Sequence, residues 1–326
     1  MNLRSTLAQA ATDALSRLPA DRRLRLAVWL LLKWWRRRLS RLGDPLVRYR
    51  LGGTDLLIPV SHELPEHRAA YPQYSANLGR IGRLVSQKYD GLVCVDIGAN
   101  VGDSLAILRE QASFPILCVE GNPRYFELLR RNVSRDVALD QAYVGNTSGS
   151  VTVDVIESSG TARLVEVREG TKVQMSTLAD VLARHPQFAR PKLLKIDTDG
   201  MDSLILLGAA EMLADVRPVV FFEFDPDSSI GDGDLFATLR AAGYERVIVY
   251  ENTGEYLLTA TLDDLPLLAD LTAFYSGRRS ARYADMCVFH GEDRDLCAAI
   301  RQSEIAFFAE LRRRNALSNH QRAPLQ

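Results

Sequence analysis

About a third of the way along the chain, two acids flank a glycine-rich turn, with residue types and spacing that suit a charged small ligand. The turn reads Val95-Asp96-Ile97-Gly98-Ala99-Asn100-Val101-Gly102-Asp103-Ser104, an apolar run, then glycines, then a helical pattern. Glycine at a strand-to-helix turn lets the backbone approach a ligand closely. A dinucleotide site would read GxGxxG here and set a pyrophosphate against the helix N-terminus. This chain lacks GxGxxG and places Asp96 two residues before Gly98. A carboxylate there repels pyrophosphate and suits a ligand bearing an amine and a sulfonium, which favours S-adenosyl-L-methionine over NAD. Glu120 follows about 20 residues beyond the turn, where an acid accepts both ribose hydroxyls in Rossmann-like sites. The candidate cofactor-binding residues are Asp96, Gly98, Asn100, Gly102, Asp103, Ser104, Glu120 and Asn122, with Asp197 further along. A glycine-rich turn with no ligand is the plain alternative.

A second group of acids supplies candidate catalysis. Asp197 and Asp199 lie in LLKIDTDGMDS, and Glu223 and Asp225 in FFEFDP. Neighbouring parallel strands run about 5 Å apart, so acids at the ends of two such strands can converge. Methyl transfer to oxygen needs alignment of the acceptor and removal of its proton. One reading holds Mg²⁺ on Asp197, Glu223 and Asp225, which would orient the acceptor and acidify its hydroxyl. The other uses Asp199 or Glu223 as a general base without a metal, with Asp197 beside them in the catalytic set. Against both stands a structural reading, in which Asp199 and Asp202 favour the helix start that follows. Lys195 also shares a strand face with Asp197, so an ion pair competes for that acid. In the loop HELPEHRAAYPQY, which could close over the substrate, His62 is a weaker candidate for a base, and Tyr71 and Tyr74 for contacts with cofactor or acceptor.

At this point the chain resembles the FkbM family of methyltransferases. The segments that carry the resemblance are VDIGANVGDS (95–104), VEGNPRYFELLRRNV (119–133), STLAD (176–180), LLKIDTDGMDSLILLGA (193–209) and PVVFFEF (218–224). It covers roughly residues 90–225 and excludes residues 1–45. It implies a class I methyltransferase fold, S-adenosyl-L-methionine as methyl donor, and an acceptor hydroxyl on a sugar, polysaccharide, glycolipid or natural product. Asp199 departs from the family pattern, which has Glu there more often, and its reach is shorter by one methylene.

The elements that must position these residues follow from hydrophobic pattern. Apolar strand candidates are 92–97, 116–120, 137–144, 193–197, 219–224, 246–250 and 284–289; helices fit 103–111, 123–134, 177–184, 202–213, 234–242 and 293–313. Strands without polar alternation suit a parallel sheet covered on both faces. The pattern predicts an α/β, Rossmann-like, mostly parallel seven-stranded sheet. Two alternating segments, 150–167 and 247–260, predict hairpin insertions. The expected division is a basic helical arm (1–45), a connecting or lid region with a short strand at 55–60 (46–91), the methyltransferase domain (92–292), and a C-terminal helix and tail (293–326).

Composition bounds the partners. The net charge of −1 points to no nucleic-acid partner, but it hides an asymmetry. Residues 1–50 hold 12 Lys and Arg against 3 Asp and Glu, leaving 28 against 38 for the remainder. On a helix over 22–41, Leu24, Val28, Leu31, Leu32 and Trp35 share a face beside arginines. That pattern fits either peripheral association of residues 22–42 with an anionic membrane or packing on the domain. The apolar run at 26–32 falls short of the roughly 20 residues that span a bilayer, and no secretory signal is evident. Cys94, Cys118, Cys287 and Cys297 form no CxxC pair and read as buried thiols of a reducing compartment. The expected location is cytoplasmic, at the inner face of the membrane if the arm binds it. The competing functions are an NAD(P)-dependent oxidoreductase or epimerase and a non-catalytic, membrane-tethered cofactor-binding scaffold.

Overall fold

A computed structural model describes residues 3–18, 22–158, 160–166, 170–227, 234–277 and 283–320. The first part comprises α1 (Leu3–Leu15), α2 (Arg22–Ser40), the antiparallel hairpin β1 (Leu46–Leu51) and β2 (Thr54–Pro59), α3 (Leu64–Ala70) and α4 (Ala76–Lys88). The stretch from 46 to 91 is thus more structured than the single short strand expected there. Leu51, Leu56, Ile58, Leu78 and Ile81 are buried in the same core as Cys94 of the central sheet, so burial rather than local propensity fixes these elements.

The central elements follow in chain order: β3 (Cys94–Ile97), α5 (Asp103–Gln111), β4 (Ile116–Val119), α6 (Pro123–Asn132), β5 (Ala138–Asp140), β6 (Tyr143–Gly145), β7 (Gly149–Ser158), β8 (Thr161–Glu166), β9 (Thr171–Thr177), α7 (Leu178–Arg184), β10 (Leu193–Ile196), α8 (Asp202–Gly208), α9 (Ala210–Val216), β11 (Val219–Phe224), α10 (Leu235–Ala241), β12 (Tyr244–Glu251), β13 (Tyr256–Thr261), α11 (Leu265–Tyr275), β14 (Ala284–His290) and α12 (Arg294–His320). The main sheet runs β13-β12-β14-β11-β10-β3-β4-β5, with β11-β10-β3-β4-β5 parallel and β14 antiparallel to β11. This is the expected Rossmann-like, class I methyltransferase architecture, with eight strands in place of seven. The eighth is β13, the second arm of the hairpin predicted at 247–260; it pairs with β12 and extends the edge.

Two further expectations change. The single strand predicted over 137–144 divides into β5, which ends the main sheet, and β6, which joins β9 in a four-stranded sheet with the β7–β8 hairpin. The helix predicted over 202–213 divides into α8 and α9 at Ala209, whose backbone (φ −103°, ψ 10°) leaves the helical region. The core sheet is apolar on both faces. Cys94, Phe221 and Phe289 face one hydrophobic cluster and Val95, Leu194 and Val220 the other. All four cysteines are buried free thiols, as expected. The C-terminal helix α12 is bolted to α4, where Arg80 donates to both carboxylate oxygens of buried Glu304 at 2.8 and 2.7 Å. No helix among the described residues is long and apolar enough to cross a membrane.

Candidate active site

The glycine turn between β3 and α5 is shaped by its backbone. Gly98 has φ +78°, and a Cβ there would lie 1.8 Å from the Asp197 carbonyl oxygen at the end of neighbouring β10. Only glycine fits. Asn100 also takes a left-handed conformation (φ +47°); its amide N–H donates to Glu120 Oε2 at 2.9 Å and its Nδ2 donates to Gly160 O in the β7–β8 turn at 2.8 Å. Glu120 leaves the end of β4 and accepts a second backbone bond, from Asn122 N, at 2.7 Å. Both its oxygens are therefore aimed by main-chain donors. Burial dominates its titration and pushes the carboxyl up to about 7, against the lowering effect of those two bonds.

Two clefts meet at this turn. The first, about 540 Å³, is lined by Gly98, Asn100 and Glu120, with Ala142, Tyr143, Val144 and Met201 as an apolar wall, and reaches Asp197 and Asp199. The second, about 610 Å³, shares Gly98, Asn100, Asp197 and Asp199 and continues past Asp103 and Ser104 to His62, His67, Tyr74, Glu223 and Tyr283. A wider groove of about 1250 Å³ opens beyond it between Glu63, His67, Tyr71 and Tyr74 on one side and Glu251, Asn252 and Glu255 on the other.

Beneath the junction lies a buried charge cluster. The parallel register sets Lys195 of β10 beside Asp96 of β3, and the i, i+2 spacing sets Asp197 on the same face. Lys195 Nζ lies 3.0 Å from Asp96 Oδ1 and 3.3 Å from Asp197 Oδ2, and donates to Gly98 O at 3.2 Å. Burial opposes the lysine charge, but the carboxylates of Asp197, Asp96 and Asp103 outweigh it and hold the ammonium protonated. Asp96 is fully buried beneath the two clefts, where it pairs with Lys195.

Other expected residues separate in the same way. Asp103, Ser104, Asp197, Asp199 and Glu223 are brought together on the second cleft. Asn122 is the N-cap of α6, accepting from Arg124 N and Tyr125 N, and Gly102 takes φ +92° at the N-cap of α5; neither lines a cleft. Asp225 lies past the end of β11, where its carboxylate accepts from Asp227 N, and it also lines neither cleft. The set Asp197, Glu223 and Asp225 is thus not assembled. Strand β11 ends at Phe224, so the alternation that would keep Asp225 beside Glu223 has stopped. Among the described residues no three His, Cys, Asp or Glu side chains are grouped to hold a metal ion. Asp202 is a structural staple: it accepts from Thr198 N, Thr198 Oγ1 and Glu223 N at 3.0, 2.7 and 3.2 Å.

The tertiary structure adds residues that spacing did not point to. Asp285 of β14 stands opposite Glu223 in the antiparallel register. Burial and the neighbouring acids, Asp197 first, raise Glu223 well above the usual carboxylate range; burial and Asp197 do the same to Asp285. Tyr283, just before β14, reaches the same cleft. His62 is almost fully buried, with Nδ1 accepting from Leu64 N at 3.2 Å, and burial lowers its pKa to about 4. Its Nε2 and the Oδ1 of Asn100 are buried near one another without an aligned hydrogen bond. No local signal in the sequence points to Asp285 or Tyr283, because their place depends on an antiparallel strand inserted between β11 and β12.

A glycine cradle without room for a Cβ, a ribose-spaced acid and an anionic surround fit a cationic nucleoside ligand. The model of the methyltransferase FkbM domain matches residues 96–246, from the turn to β12. These residues are an FkbM methyltransferase domain. The protein is accordingly an S-adenosylmethionine-dependent methyltransferase, and the oxidoreductase and scaffold readings give way to it. A search of curated protein sequences finds no match to the chain. Among solved structures, the FkbM domain and its flanks are similar to a precorrin-6y C5,15-methyltransferase from Geobacter metallireducens (16% identity, 65% of this chain and 87% of that chain, TM-score 0.34). They are similar also to a TehB-like SAM-dependent methyltransferase from Corynebacterium glutamicum (14%, 69% and 98%, 0.32). A methyltransferase FkbM from Methylobacillus flagellatus is a further neighbour (12%, 86% and 58%, 0.34).

Proposed function

We propose that this FkbM methyltransferase transfers a methyl group to a hydroxyl of a sugar-like acceptor, free or carried on a glycolipid, polysaccharide or natural product. The observation that carries this reading is the lining of the second cleft and the groove beyond it. Around the shared turn, Leu64 is the one apolar aliphatic side chain of the second cleft; the rest of its wall is carboxylates, histidines, tyrosines, Asn100, Ser104 and Lys195. Such a wall meets a polyhydroxylated molecule with hydrogen bonds and gives an apolar acceptor little to bury against.

In this reading the first cleft holds S-adenosylmethionine, with Glu120 on the ribose hydroxyls and the wall of Ala142, Tyr143, Val144 and Met201 against the base. Bound there, the donor supplies an electrophilic methyl on a sulfonium, and the acids around Lys195 favour that positive charge. Glu223 takes the acceptor hydroxyl proton on a carboxylate oxygen. Its raised pKa makes it, once ionised, a stronger base than a solvated carboxylate. Lys195 holds Asp197 at the junction, and Asp199, with φ +53°, presents its carboxylate between the two clefts to orient acceptor hydroxyls.

The test is transfer of labelled methyl from S-adenosylmethionine to a panel of mono- and oligosaccharides, phenols and amines, with the product bond located by mass spectrometry. Label on a sugar oxygen is the expected result. Label confined to amines or phenols would refute the acceptor class.

A further inference from the structure

Helix α2 has two faces with opposite partners. Its inward face is bolted to α3. Arg36 is fully buried and donates to Glu66 Oε1 at 3.3 Å, to His62 O at 2.8 Å and to Thr12 Oγ1. Lys33 lies 3.2 Å from Glu66, and Arg25 donates to Ala69 O at 2.7 Å. The outward face is not the one expected from pattern alone. Val28 and Leu32 turn partly inward, whereas Leu24, Leu30, Leu31, Trp34 and Trp35 are each 45–55% exposed. Among the described residues, nine of the sixteen large apolar side chains with substantial exposure fall within residues 3–42. The patch is therefore a concentrated feature of this end of the molecule rather than ordinary surface scatter.

What covers such a face is decided by its charge. Arg37, Arg38 and Arg41 are exposed beside it, Arg38 lies over the Trp34 ring at 5.3 Å, and residues 22–43 contain no acid. A second copy would bring two arginine rims together, and like charges across an interface are costly. A surface that is anionic outside and apolar beneath satisfies both halves at once, with tryptophans at the boundary. We propose that α2 seats the protein on an anionic lipid bilayer, lying in the plane of its headgroups. The seat is next to the site: through Lys33, α2 meets Glu66 of α3 and Glu63 at the α3 N-terminus, while Glu63 and His67 line the groove that leads to the second cleft. The seat itself does not depend on which acceptor the enzyme uses.

The test is co-sedimentation of the full chain with vesicles of phosphatidylcholine alone and of phosphatidylcholine mixed with phosphatidylglycerol. Binding to the mixed vesicles only, weakened by salt, is expected. Each arginine near an anionic surface is worth about 1 kcal/mol, so Arg37→Gln with Arg38→Gln lowers partitioning roughly 30-fold. Leu31→Ser with Trp34→Ser removes the apolar part and lowers it about tenfold or more. Affinity for S-adenosylhomocysteine is measured on the same samples. Unchanged affinity shows each variant folded, and its absence in the parent protein faults the cofactor site without touching the vesicle result. The proposal is overturned by equal sedimentation with both vesicle types, by none with either, or by variants that bind like the parent. It is overturned also by a solution dimer that Leu31→Ser with Trp34→Ser disperses.

Discussion

Replacing Glu120 by Gln separates stability from ligand binding, because the two respond in opposite directions. Both carboxylate oxygens accept from backbone N–H groups, of Asn100 and Asn122. An amide in either orientation must aim its NH₂ at one of those donors. Leaving such a buried donor unmatched costs about 1–3 kcal/mol. Against this, burial raises the carboxyl from 4.5 to about 7, which corresponds to about 3 kcal/mol of destabilisation once it is ionised. The folded-state pKa lies above the unfolded one, so the group's contribution is favourable at low pH and is lost as pH rises from about 4.5 to about 7. Glu120→Gln removes that loss. The melting temperature of the variant should therefore improve relative to the parent across this window and come close to it, or pass it, at pH 8. Ligand affinity moves the other way. Losing charge-assisted bonds to two ribose hydroxyls costs about 2–3 kcal/mol, on the order of 100-fold. In the parent, S-adenosylhomocysteine affinity should rise with pH up to about 7, and in Glu120→Gln that rise should flatten. Calorimetry and thermal melting at about pH 5, 6, 7 and 8 read both effects. Affinity within about twofold of the parent at every pH, with a pH-independent difference in melting temperature, would refute the role given to Glu120.

Three other perturbations test the rest of the site. Gly98→Ala forces a Cβ against the Asp197 carbonyl at φ +78°; it should lower stability by more than the roughly 1–2 kcal/mol of a left-handed residue alone and abolish cofactor binding, as melting and calorimetry would show. Glu223→Gln should keep S-adenosylhomocysteine affinity while turnover falls roughly 10²–10⁴-fold. The parent's turnover should rise with pH through a pKa above the ordinary 4.5, since the base works only when ionised, and a rate profile unchanged by the substitution would remove Glu223 from proton transfer. Asp96→Ala leaves Lys195 buried with one fewer partner and should cost about 3–5 kcal/mol; a denaturation midpoint equal to that of the parent would show that the Lys195 pair is not structural.

The chemistry of the turn was legible because it is local. Gly98, Asn100 and Glu120 fall at strand ends that apolar runs mark directly, and α5 spans 103–111 as its pattern predicts. Asn122 and Gly102 also stand at local signals, each at the N-cap of a helix whose first N–H groups need partners; the Asn122 side chain accepts from Arg124 N and Tyr125 N. Asp225 differs from Glu223 only by two residues, yet the end of β11 between them decides that one faces the cleft and the other does not.

The amino-acid sequence alone determined the α/β alternation, the glycine turn and the acids that end β4, β10 and β11, since each depends on residue type and on a short-range period. The tertiary structure decided which acids act together. Pairing β3 with β10 set Asp96 beside Lys195, and inserting antiparallel β14 beside β11 brought Asp285 and Tyr283 to Glu223. Folding the 46–91 stretch onto the core brought His62, His67 and Tyr74 to the same cleft; Leu30 and Trp34 of α2 stay exposed. Strand register and inter-element packing set these distances, and neither is encoded in the spacing of residues along one segment.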